Sequence, residues 1–253
     1  MIRVQDIYDI INGKFPVNTA ADGDKVGLIV GSQKNEITKV VLAVDPSYLV
    51  IDFAIENGAQ LILTHHSIYL NGNNFITDED EAAKKILKLA NHNLNLISMH
   101  TNLDIGEGGL NDLLCEKLGI SKDLNLCGGF LKGGKVENTT LRGFIDTVKS
   151  ALNPDFVLAV GNENDLVSKV MVSSGAASSM TKEAKKAGSD LFFTGELKHD
   201  DANFARENGM CALAVGHFAT EVICTEIYYD LLQEKFNGLE ILIAPEVPSV
   251  TAF

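Results

Sequence analysis

Paired cysteines, basic clusters and long apolar runs are all missing from this sequence, and each absence removes a class of function. Cys115, Cys127, Cys211 and Cys224 lie far apart and form no CxxC pair, which excludes a zinc ribbon and a thioredoxin-like redox centre. In a chain of 253 residues they read as buried thiols in a reducing cytosol. Lys and Arg number 21 against 34 Asp and Glu, for a net charge of −13. A surface of that sign repels phosphate backbones, so nucleic acid is not expected as a partner. No stretch approaches the ~18 continuous apolar residues that a membrane span needs. Residues 1–15 carry Val4, Ile7, Ile10 and Ile11 at helical spacing, broken by Asp6 and Asp9, which is an amphipathic helix and not a signal peptide. With five prolines the chain is also no Pro-rich disordered segment. The expectation is a cytoplasmic protein that does not engage membranes.

What is present is alternation. Short β-branched runs at 40–44, 60–64, 94–99, 169–172, 190–194 and 211–215 are separated by helical patterns at 46–57, 79–91, 182–187 and 203–207. This predicts an α/β protein with mixed, largely parallel sheets. The stretch 125–135, NLCGGFLKGGK, breaks the alternation and reads as a hairpin or a connection between domains. We expect two α/β domains, residues 1–125 plus 238–253 and residues 126–237, with the strand-like 240–243 returning to the first sheet.

In open α/β sheets ligands gather beyond the carboxyl ends of the strands. Thr64-His65-His66 follows one run, His100-Thr101-Asn102-Leu103-Asp104 another, Thr194-Gly195-Glu196 with His199 a third, and Gly216-His217 with Glu221 a fourth; Asp45 closes the run at 40–44. Five of the six histidines stand at such ends, and His92, within a helical pattern, reads as a surface residue. His217 and Glu221, spaced i,i+4, share one helical face and can reach one ion. We therefore expect His65, His66, Asp104, His217 and Glu221 to hold a pair of divalent metal ions in a cleft at the strand ends. Imidazole and carboxylate without thiolate suit Zn, Mn, Fe, Co or Ni. Such a pair lowers the pKa of bound water to about 7, which makes hydrolysis the natural reaction class. His100, Glu196 and His199 are candidates to orient ligands or move protons. Ser173-Ser174-Gly175 is a candidate phosphate cradle.

Other motifs carry less. Gly129-x-x-x-x-Gly134-Lys135 lacks the Ser or Thr of a P-loop, with Val136 in its place. Gly106-Glu107-Gly108-Gly109 leads into a helix from Leu110, which Asn111 and Asp112 are expected to cap or solvate. No Gly-x-Ser-x-Gly or HExxH occurs, so serine-hydrolase and zincin readings have no footing.

THHSIYL at 64–70, HTNLD at 100–104, TGELKHDDA at 194–202 and GHFATE at 216–221 together resemble the Nif-three-like, YbgI-type family, whose members are labelled GTP cyclohydrolase I type 2 homologues. The resemblance implies a two-domain α/β fold, a dinuclear metal site on the same five residues, and a homohexameric ring. It implies a hydrolase of a small nucleotide-like substrate; a non-catalytic metal-binding or scaffold protein and a metal-dependent phosphoesterase are the alternatives. The family usually has Trp-Asp-Asn where this chain has Gly23-Asp24-Lys25, and Pro where it has Ser67.

Overall fold

The computed structural model describes residues 1–70 and 75–252. From the start of the chain its elements are β1 (Ile2–Arg3), α1 (Val4–Lys14), β2 (Gly27–Val30), β3 (Glu36–Ile37), β4 (Lys39–Ala43), α2 (Tyr48–Glu56), β5 (Leu61–Thr64), α3 (Glu81–Asn91) and β6 (Asn95–Ser98). There follow α4 (Thr101–Ile105), α5 (Leu110–Lys117), β7 (Leu124–Leu126), β8 (Leu131–Thr140), α6 (Leu141–Leu152), β9 (Leu158–Val160) and β10 (Leu166–Ser173). The last are α7 (Thr181–Lys186), β11 (Leu191–Thr194), α8 (His199–Glu207), β12 (Cys211–Ala214), α9 (His217–Glu221), α10 (Cys224–Lys235) and β13 (Glu240–Ile243). The chain divides into two compact units. One comprises Met1–Leu103 with Cys224–Val247; the other comprises Asp104–Ile223 with the residues from Pro248 onward.

The first unit is built on a five-stranded sheet of order β13-β4-β5-β6-β2. Its first four strands run parallel, and β2 closes the edge antiparallel to β6. Every residue of β5 and β6 is buried, the signature of strands covered on both faces. The helices start where the sequence supplies caps: Ser47 accepts a hydrogen bond from Val50 N and Asp80 from Ala83 N. Tyr228 of α10 is fully buried. Its hydroxyl donates to the carbonyls of Thr64 (3.2 Å) and Met99 (3.1 Å), at the ends of β5 and β6.

The second unit carries six strands in the order β7-β8-β10-β11-β12-β9. Its centre, β10-β11-β12, is parallel, and β8 and β9 flank it antiparallel. The glycine-rich stretch 125–135 is a hairpin, with β7 pairing antiparallel to β8. Asn111 and Asp112 do not solvate α5: both are buried. Asp112 forms an ion pair with buried Lys132 (2.9 Å) and accepts from Gly108 N (2.7 Å).

Three of the four cysteines are buried, whereas Cys127 is exposed in the β7–β8 turn at a positive φ of 52°, so the expectation of four buried thiols holds for three. Burial, followed by the charge of Asp112, pushes the Cys115 thiol up to about 12. Burial, with Asp165 beside it, pushes Cys211 up to about 11. Since the thiolate is the nucleophile, a disulfide reagent at pH 8 is expected to label Cys127 rapidly and the other three only on unfolding. Peptide mapping after a short pulse checks this; early label on Cys115 or Cys211 would contradict it.

Candidate metal centre

In the first unit the chemistry collects where β4, β5 and β6 end side by side. His65 N donates to Ala43 O and His66 N to Val44 O, so the chain leaving β5 stays tied to the end of β4. Met99 N donates to Thr64 O, which continues the β5–β6 pairing up to His100. Parallel strands in register therefore deliver His65, His66 and His100 to one place. Each offers one ring nitrogen, and the three nitrogens lie within 4.8 Å of one another. Ring centroids are 5.0, 5.1 and 5.4 Å apart with interplanar angles of 47°, 67° and 71°, so the rings splay instead of stacking.

Each imidazole is held by its Nδ1. His65 meets Met99 O (3.0 Å), His66 meets Asp45 Oδ1 (2.8 Å), and His100 meets both oxygens of Asp24 (2.9 and 3.0 Å). Acceptors at Nδ1 fix the proton there and leave the Nε2 lone pair as the coordinating atom, the arrangement in which carboxylate or carbonyl partners orient metal-ligating histidines. Asp24 is itself clamped. Burial opposes its ionisation, but hydrogen bonds from Thr101, Tyr69 and His100 outweigh that and hold its carboxyl well below the usual range. In turn, burial and the Asp24 hydrogen bond push the Tyr69 hydroxyl up to about 12, so it remains a donor.

The end of β4 is secured by a residue that sequence reasoning passed over. The Glu246 carboxylate accepts from Val44 N (2.6 Å) and Asp45 N (2.9 Å), directly behind the aspartate that orients His66. Burial pushes the Glu246 carboxyl above its ordinary range despite those two donors. Glu246→Ala leaves two strand-end N–H groups without that acceptor and is expected to cost about 1–3 kcal/mol. Urea unfolding reads this directly; a loss under roughly 0.5 kcal/mol would show that solvent takes over the role.

In the second unit Asp104, His217 and Glu221 are linked through the turn after β10. Ser174 Oγ donates to Asp104 Oδ1 (3.2 Å), and Gly175 N donates to Thr220 Oγ1 (3.0 Å). His217 Nδ1 is held by Glu196 Oε1 (2.7 Å), and its Nε2 lies 3.0 Å from Glu221 Oε2. Ligands about 2.0–2.2 Å from one ion are separated by about 3 Å, so this pair has the spacing of shared coordination. Gly175, at φ +61°, lies against it: a Cβ there would sit 2.3 Å from Glu221 Oε1 and 3.2 Å from His217 Nε2. His199 stands apart, exposed at the start of α8 and hydrogen-bonded to Asn203 (3.0 Å). The phosphate-cradle reading of 173–175 does not hold for the backbone donors of Ser174 and Gly175. Ser174 N is engaged by Asn111 Oδ1 (2.9 Å) and Gly175 N by Thr220.

The donor sets fit divalent metal ions: imidazoles clamped at Nδ1, and in the second unit a carboxylate within reach of His217. The residues missed from sequence, Asp24 and Glu246, act across 76 and 201 or more positions of chain, so no local pattern points to them. Asp24 does lie in the Gly23-Asp24-Lys25 stretch that aligns with a family motif.

The chain is similar to known proteins over nearly its whole length. A "GTP cyclohydrolase 1 type 2 homolog" from Clostridium perfringens is 36% identical over 97% of both chains. One of the same name from Methanocaldococcus jannaschii is 29% identical, covering 95% of this chain and 98% of its own. Among solved structures, reduced HcgD from Methanocaldococcus jannaschii superposes with a TM-score of 0.85 at 27% identity, over 97% of this chain and 98% of its own. A Staphylococcus aureus protein gives a TM-score of 0.87 at 23% identity, covering 100% and 99%, and shows the fold alone. The family model described as Duf34/NIF3 (NGG1p interacting factor 3) matches residues 2–248. With nearly its whole length matched, the chain belongs to the Duf34/NIF3 family.

Proposed function

We propose that this chain is a dinuclear metal-dependent hydrolase of a small nucleotide-like substrate, with His65, His66, Asp104, His217 and Glu221 as ligands of two divalent ions. The observation that carries the reading is the set of imidazoles anchored through Nδ1 by Met99 O, Asp45 and Glu196, which is how proteins prepare histidines for metals. Bound ions would supply activation of water for hydrolysis. Asp45 and Glu196 hold ligand rings in place and keep their tautomer. His100 and Glu196 are the candidates for moving protons; His199, exposed beside Asn203, is the weaker third. The relatives' name suggests GTP as the first compound to try. A phosphoesterase would have to bind phosphate without the backbone donors of Ser174 and Gly175, so the nucleotide-hydrolase reading is preferred over it. Among the described residues, no helix is long and apolar enough to cross a membrane. On the family likeness we place the chain in the cytoplasm as a homohexamer.

Metal analysis tests the site. The purified chain is expected to carry about two divalent ions, the number a two-metal site holds, and the His217→Ala, Glu221→Ala double variant fewer. Equal metal in both would overturn the five-ligand assignment. Metal-loaded protein is then offered GTP and generic phosphoesters; full occupancy without turnover of any would favour a non-catalytic metal-binding role.

A further inference from the structure

Outside the proposed metal centre, the second unit holds a cavity of about 420 Å³, within the ~300–1,000 Å³ of small-molecule sites. Its floor is one face of α6. Arg142, Ile145 and Lys149 line it, at spacings of three and four residues that put all three on the same side of the helix. Its roof is the chain returning from the helix end. Asn153, at a left-handed φ of 44°, donates its N–H to Lys149 O and stops α6. At the other end of the helix Leu141 N and Arg142 N donate to Asp165 O and Glu163 O. The chain from 153 to 165 therefore runs back along α6, and Phe156 and Val157 face the cavity on the way.

The lining suits one kind of molecule. Arg142 and Lys149 stand seven residues apart, about 10 Å along the helix axis, and the cavity between helix and returning chain is otherwise walled by Ile145, Phe156 and Val157. Against the two cations stands one lining carboxylate, Asp155, in a chain whose net charge is −13. Among the described residues the Lys149 ammonium has no ion-pair partner. Arg142 is loosely held: its contacts to Glu163 and Asp146 are 3.4 and 3.5 Å long, and all three side chains are more than half exposed. Pairs of that kind contribute little, so a ligand can displace them. Phe156 is better fixed. The tip of its ring rests against Gly216, where a Cβ would lie 3.5 Å from Cζ, and the ring also lines the cavity.

We propose that this cavity binds a small molecule made of an anionic group and a flat unsaturated ring, of the kind found in nucleoside monophosphates and aromatic carboxylates. Lys149 and Arg142 take the anion through charge-assisted hydrogen bonds, and the ring lies against Phe156 and Ile145. No metal takes part, so the site stands or falls apart from the metal-binding reading.

The test uses the full-length chain stripped of metal with EDTA and titrated by calorimetry with AMP, benzoate, adenosine and inorganic phosphate. AMP or benzoate is expected to bind, and the tighter of the two names the source of the anion. Adenosine lacks the charge and phosphate lacks the ring, so each is expected to bind at least ~10-fold more weakly than the tighter ligand. Lys149→Glu and Arg142→Glu, both at exposed positions of α6, should each weaken that ligand more than ~10-fold, the scale of one hydrogen bond to a charged group. Phe156→Leu keeps an apolar group beside Gly216 and should cost roughly 5- to 10-fold through lost stacking. Lys34→Glu, the same change of charge in the first unit, should leave binding unaltered. Should a variant fail to fold, amide NMR of the unsubstituted chain replaces it, with the signals of Ile145, Phe156 and Gly216 expected to move together as ligand is added. Binding of neither AMP nor benzoate overturns the proposal, as do amide signals that stay in place. Binding that survives the α6 substitutions but is lost in the His217→Ala, Glu221→Ala variant also overturns it, because the ligand would then sit at the metal centre.

Discussion

Lys132→Met is expected to cost the fold about 3–5 kcal/mol, the usual penalty for stranding one member of a buried ion pair. Lys132 and Asp112 side chains are 4% and 10% exposed and meet at 2.9 Å, so solvent cannot take the place of the missing cation. The geometry also says where the damage would spread. Lys132 Nζ donates to Gly106 O (3.2 Å), and Asp112 accepts from Gly108 N. Together they pin the turn that follows Asp104. Loss of the cation should therefore loosen metal binding as well as the fold. Replacing both partners, Lys132→Met with Asp112→Leu, removes the uncompensated charge and is expected to recover much of the stability without recovering the metal, because the turn stays unpinned. Denaturant melts and metal titrations on the three proteins separate the two effects. A single variant within about 1 kcal/mol of wild type, the scale of an exposed pair, would show that the pair behaves as a surface one.

Gly175→Ala is expected to lower metal affinity at least ~10-fold, with about 1–3 kcal/mol of backbone strain added. The two costs have different origins. The strain comes from placing a side chain at φ +61°. The affinity loss comes from the methyl group, which would lie 2.3 Å from Glu221 Oε1 and must drive the carboxylate away from His217. Glu221→Ala makes room, so the double variant Gly175→Ala, Glu221→Ala should bind metal no worse than Glu221→Ala alone. Strictly additive losses in that cycle would mean that the methyl group acts on something other than Glu221.

How much of this was legible in the sequence depended on the range of the interaction. The apolar runs at 60–64, 94–99, 190–194 and 211–215 stand out because strands buried on both faces need continuous hydrophobicity, and they became β5, β6, β11 and β12. The histidines after them could be read because parallel order turns sequence position into spatial position. Strand β8 was not read as a strand: its Lys132-Gly133-Gly134-Lys135 segment looks like a loop. Gly133 is required there because a Cβ would lie 2.1 Å from Val170 O, a constraint set by the partner strand. Asp112 was read as capping or solvating its helix, and its ion pair was missed since the partner, Lys132, is 20 positions away and looks equally exposed in a sequence. The orientation of the His100 ring could not be read from the sequence, because Asp24 sets it from 76 residues upstream.

The first unit is assembled from both sides of the second. Strand β13 completes its sheet beside β4, and Tyr228 and Glu246 fasten the ends of β4, β5 and β6. During synthesis, residues 104–223 will have left the ribosome before those parts exist. The inserted unit can therefore close while the segment 1–103 still lacks an edge strand, a capping hydroxyl and a carboxylate at its strand ends. Domains generally fold as units during translation, so here the order of folding should invert the order of the chain. The histidines made first would be the last to reach their working positions.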